Sequence, residues 1–89
     1  MKAPGGVASS SDVAGEVRIR GNHLLIVNAG AQTAYIAIIQ IQSSGETVTT
    51  SDFPLESGDE LLVDGLLIQS FKHICAAGQS TSLRYLGWK

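Results

Sequence analysis

The ten residues "TAYIAIIQIQ", positions 33–42, set the tightest limit on what this chain can fold into. At a period of two, Ala34, Ile36 and Ile38 fall on one face and Tyr35, Ala37, Ile39 and Ile41 on the other. A strand that is apolar on both faces must be covered on both, by its own domain and by another layer or chain. A helix would be the alternative, but the β-branched and aromatic content argues against it.

The rest of the chain from Glu16 onward reads the same way. Val17 and Ile19 alternate with Arg18 and Arg20, which predicts a short strand with one wet face. Gly21-Asn22 is a turn signal, followed by a mostly buried strand "HLLIVNAG" that stops at Asn28-Ala29-Gly30. "SSGE" turns the chain, and "TVTTSDF" predicts a more exposed, threonine-rich strand. Pro54 has no amide hydrogen to give a ladder, so "DFPLESGDE" cannot be a central strand. Asp64-Gly65 suits a tight hairpin turn between "ELLVDG" and "LLIQSF". "KHICAAG", a turn at residues 77–80 and "TSLRYLGWK" complete the pattern. Short strands at regular spacing predict an all-β domain, a small β-sandwich or jelly-roll-like barrel, over residues 16–89.

Residues 1–15 differ. Glycine, alanine and serine dominate, and Met1, Val7 and Val13 are the only larger apolar groups. Such a segment cannot offset its ordering entropy alone, so a flexible N-terminal arm is expected, able to order against a neighbouring subunit. The start has no apolar h-region and is not read as a signal peptide. No stretch approaches the roughly 20 apolar residues of a membrane helix, so no membrane partner is expected.

Eighty-nine residues make one domain, which buries about 60–65% of its unfolded surface. With 44% hydrophobic and only 16% charged residues, the chain has apolar surface to spare for partner contacts and for homo-oligomers. The net charge of −2 provides no basic field, so nucleic acid is not an expected partner. Asp52, Glu56, Asp59, Glu60 and Asp64 fall within thirteen residues that hold no Lys or Arg. They read either as a solvated loop and edge or as an acidic patch that meets basic residues of a neighbouring copy.

His73 and Cys75 stand at i and i+2 and therefore share one face of a strand. Zinc needs four ligands, and only His23 and a carboxylate could complete the set, so a buried thiol beside a hydrogen-bonded or exposed imidazole is the preferred reading. One cysteine forms no internal disulfide, in keeping with folding in a reducing cytoplasm. No nucleophile elbow, phosphate loop or calcium loop occurs. The chain is therefore read as a non-enzyme with no catalytic residues, no metal and no cofactor. Trp88 reads as a terminal plug or as an interface anchor.

The succession "LLIVNAGAQTAYIAI", "SDFPLESGDELLV" and "FKHICAAGQSTSLRYLGW" resembles a group of small virion-associated proteins of tailed bacteriophages. The elements that carry the resemblance are Asn28-Ala29-Gly30, Asp52-Phe53-Pro54-Leu55 to Gly58, His73-Ile74-Cys75-Ala76, and Gly78 to Leu83, across about residues 17–88. The resemblance implies a small β-sandwich with a structural place in the virion, often at the head. A small residue commonly stands in that group where Cys75 stands, which implies that the thiol is not needed.

The expected function is thus a capsid decoration or cement-type structural protein, assembled in the host cytoplasm, which self-associates and binds the major capsid protein or other virion proteins. The alternative is a tail or fibre accessory or adaptor module that binds a virion or host-surface partner. Arg18, Arg20, Tyr35, Asp52, Glu56 and Trp88 are the candidate interface residues.

Overall fold

The computed structural model describes residues 5–40 and 47–88. Its six strands are β1 (Gly5–Ser10), β2 (Gly15–Asn28), β3 (Ala34–Gln40), β4 (Phe53–Leu55), β5 (Glu60–Cys75) and β6 (Thr81–Trp88). They form one antiparallel sheet in the order β1-β6-β2-β5-β3-β4, with no helix among the described residues. The chain is all-β, as the periodicity requires. The expected turn at 43–46 and the last two residues of the 33–42 run lie outside the described residues.

The shape of the sheet is decided by its two longest strands, β2 and β5. They pair along both halves and slip register between: Arg18 faces Ser70, Gly21 faces Ile68, and His23 faces Asp64. Beside these slips Arg20 has φ 55° and Gly65 φ 78°. β3 slips at the same level, where Ile39 faces Ser70 but Gln40 faces Ile68. Bulges bend a strand and sharpen its twist, and here adjacent strands bend together. β6 and β1 lie beside the 23–28 half of β2, whereas β3 and β4 lie beside the 68–75 half of β5.

This corrects two expected turns. Gly21-Asn22 and Asp64-Gly65 do not reverse the chain; each sits inside a continuous strand, at the bend. The turn chemistry is spent on backbone kinks because ladder bonds resume on the far side of each.

The bend lets both sides of the sheet bury one core. Leu24, Ile26 and Leu83 come from one side, Ala34, Ile36, Leu55, Phe71 and Cys75 from the other, and Ile19 and Ile68 from the bend itself. Phe71 meets Tyr85 edge-on across that core, with centroids 5.6 Å apart and planes at 68°.

The expected flexible arm is also corrected, over Gly5–Ser10. This segment is an edge strand registered on β6 from Gly5 opposite Leu86 to Ser10 opposite Thr81. Ladder hydrogen bonds need no large side chain, and the small residues are what the site admits. A Cβ on Gly6 would stand 3.0 Å from the Tyr85 hydroxyl, and one on Gly5 would stand 3.0 Å from the Tyr85 carbonyl oxygen.

Past its last residue, β1 crosses to β5. The Cys75 amide donates to the Ser11 carbonyl at 2.7 Å, and Ser10 Oγ lies 2.9 Å from His73 Nδ1 and 3.6 Å from Cys75 Sγ. His73 and Cys75 thus share one buried face, and burial holds the imidazole below its ordinary pKa of 6.5.

Pro54 lies on the edge strand β4, where its missing amide hydrogen costs no ladder bond. The threonine-rich segment before it is not the expected strand. The Thr49 amide donates to Asp52 Oδ2 at 2.8 Å, and the Asp52 amide donates to the Thr49 carbonyl at 3.1 Å. These local bonds close a turn in competition with sheet pairing.

Asn28 ends β2 as its sequence suggests, and it does more. Its Nδ2 donates to the carbonyls of Gln32 (2.7 Å) and Leu55 (2.8 Å), while its Oδ1 accepts from the Gly30 amide (3.0 Å) and the Thr81 hydroxyl (2.8 Å). One fully buried carboxamide therefore ties the end of β2 to β4, β6 and the loop toward β3.

Candidate functional site

The outward surface of β1, β6, β2 and β5 carries a group of exposed apolar side chains. Strand alternation sends Leu24 and Ile26 inward and leaves His23, Leu25 and Val27 on the other side. Register then builds three rows. Leu62, Leu25 and Leu86 form the middle row; Asp64, His23 and Trp88 flank it on one side; Glu60, Val27, Arg84 and Val7 flank it on the other. Leu62 is 58% exposed, Leu86 43% and Val7 63%, values that mark a shared apolar surface rather than scattered residues. A shallow hollow of about 140 Å³ is lined by Leu25, Val27, Arg84, Tyr85 and Leu86.

The flanking rows differ in how their polar groups are used. His23 Nδ1 lies 2.5 Å from Asp64 Oδ1, and the imidazole stacks on Trp88 with centroids 5.2 Å apart and planes at 14°. That row is a fixed, flat platform. Glu60 and Arg84 are exposed, stand on either side of Val27, and make no hydrogen bond or ion pair among the described residues. Adjacent strands lie about 4.8 Å apart, so these two charges are separated by two strand spacings, about 10 Å at Cα.

The six expected interface residues are not gathered into one site. Trp88 stands on this surface, against His23. Arg18 and Tyr35 occupy the outward side of the other half of the sheet, Arg18 opposite Ser70 and Tyr35 between Ile74 and Pro54. Arg20 is exposed at the bend with its positive φ. Asp52 closes its local turn, and Glu56 is exposed in the loop after β4.

While Glu60 was among the acidic residues read as able to meet a neighbouring copy, reasoning from sequence missed Leu25, Leu62 and Leu86. A signal for them was present: "HLLIV" is apolar on both faces in the same sense as the 33–42 run. The other half of the outward surface is better covered. There Ser70 is buried and donates to Glu16 Oε2 at 2.6 Å, and Val48 is 5% exposed. Among the described residues no three His, Cys, Asp or Glu groups converge in a way that could hold a metal ion. His23 is engaged by Asp64 and Trp88, while His73 is engaged by Ser10. The chain matches no protein-family model, no curated protein and no solved structure.

Proposed function

We propose that this chain is a structural virion protein of the capsid decoration or cement type, which self-associates and binds the head shell. The observation that carries an association role is the Leu62-Leu25-Leu86 row, exposed at Leu62 and Leu86 and half-buried at Leu25, on a chain with so few residues to spend on its core. Leucines left wholly or partly in water on three neighbouring strands lower solubility unless a partner covers them. The place in a phage head rests on the resemblance of the motif succession. The partners are then the major capsid protein and further copies of the chain. Many copies on one shell give avidity, so each contact can be individually weak.

The test mixes the purified chain with head shells that lack it and follows co-sedimentation. Saturable binding at a fixed number of copies per shell is the expected result. A chain that stays in the supernatant overturns the reading. Labelling of tails instead of heads replaces it with the tail or fibre accessory module.

A further inference from the structure

The charges around the apolar row say what covers it. We infer that the outward surface of β6, β2 and β5 is a two-fold interface with a second copy of this chain, its axis parallel to β2. This rests on the self-associating reading above and names its surface and geometry.

A two-fold axis running along the outward side of β2 exchanges the places of β5 and β6 and keeps each row at its own level. Leu25 and Val27 then meet their own counterparts, and Leu62 of one copy meets Leu86 of the other. Glu60 of each copy faces Arg84 of its partner, so the contact holds two equivalent acid–base pairs. Face-packed sheets lie about 10 Å apart, a gap that the glutamate and arginine side chains span together. Within one chain the same two groups are held apart by Val27 and make no ion pair. The other in-plane axis, perpendicular to the strands through the leucine row, exchanges the outer rows. It would set Glu60 against Asp64 of the partner, acid on acid. Charge therefore selects one axis of the two, and the interface is isologous, as a closed dimer requires.

The experiment measures the mass of the full chain in solution by sedimentation equilibrium across a dilution series. Wild type is expected to be a dimer. Glu60→Arg and Arg84→Glu each create two like-charge contacts per dimer and should weaken it at least about tenfold. The double reversal E60R/R84E restores opposite charges across the axis and should recover most of the loss. Both positions are exposed, and thermal unfolding of each variant checks that the fold is kept. A monomeric wild type, a trimer, or a double reversal that stays as weak as the single ones overturns the inference. Shell binding by a monomeric chain would leave the proposed function standing without this interface, and a dimer that ignores shells would do the reverse.

Discussion

Ser10 Oγ lies 2.9 Å from His73 Nδ1, joining the end of the first strand to the end of the fifth. The Cys75 thiol donates to Ser10 Oγ, and the Ser10 hydroxyl and His73 Nδ1 share a hydrogen bond whose direction the imidazole tautomer sets. Ser10→Ala breaks both links and leaves a buried ring nitrogen unpaired. The expected cost is about 1–2 kcal/mol, or roughly 5–10 °C in the midpoint of thermal unfolding. Cys75→Ala, which removes only a weak donor, should cost less than Ser10→Ala in the same measurement.

The buried ring of His73 also links stability to pH. A histidine whose folded pKa lies below its ordinary 6.5 binds a proton more tightly in the unfolded chain. Its contribution is therefore intact above 6.5 and is lost as pH falls from there through the folded pKa. His73→Gln should flatten that part of the stability curve. His23 is present in both chains, so the difference between the two denaturation series isolates His73. An unchanged slope would show that the ring titrates alike in both states.

Asn28 and Gly30 act as one joint. A Cβ on Gly30 would sit 1.9 Å from Thr81 Oγ1 and 2.7 Å from the Ser82 amide nitrogen, so backbone as well as side chain must move. Gly30→Ala is expected to destabilise by about 1–3 kcal/mol through overpacking. Asn28→Ala leaves two carbonyls, an amide and a hydroxyl without their partner and should cost about 3 kcal/mol or more. Chemical denaturation checks both, and the two changes should be non-additive because they share Thr81 and the loop.

Gly87 is required for a different reason. A Cβ there would lie 2.4 Å from Ile19 Cγ2, at the bend in β2. Gly87→Ala should destabilise the wild-type chain, and it should cost less in an Ile19→Ala background, where the obstructing methyl is gone. A double-mutant cycle with additive effects would rule out this contact as the cause.

Removal of residues 1–11 should act on the fold as well as on assembly. It strips the β6 edge of its partner strand and takes Ser10 from His73 and Ser11 from Cys75. The unfolding midpoint is expected to fall further than for Ser10→Ala. A truncated chain as stable as the full one would return this segment to the role of an arm.

Much of the strand content was legible in local pattern. The strand at 34–40, the stop at Asn28 and the exclusion of Pro54 from a central strand follow from side-chain period, turn chemistry and a missing amide hydrogen. The misread positions share a cause. Gly21-Asn22 and Asp64-Gly65 carry turn residues, but a turn and a bulge use the same backbone conformations, and only the neighbouring strands decide between them. The arm was misread because composition measures what a segment can bury by itself. It does not measure what a waiting strand edge can bond.

The sequence by itself determined an all-β chain, His73 and a buried Cys75 on one face, and an excess of apolar residues over what a small core needs. Tertiary structure alone decided where that excess is exposed. Leu25, Leu62 and Leu86 are far apart in the chain, and no local pattern places them in one row; the register of three strands does. The same register sets Glu60 and Arg84 on either side of Val27 and so defines the axis about which a second copy fits. Period two assigns a side chain to a face, but only pairing across strands assigns it a neighbour.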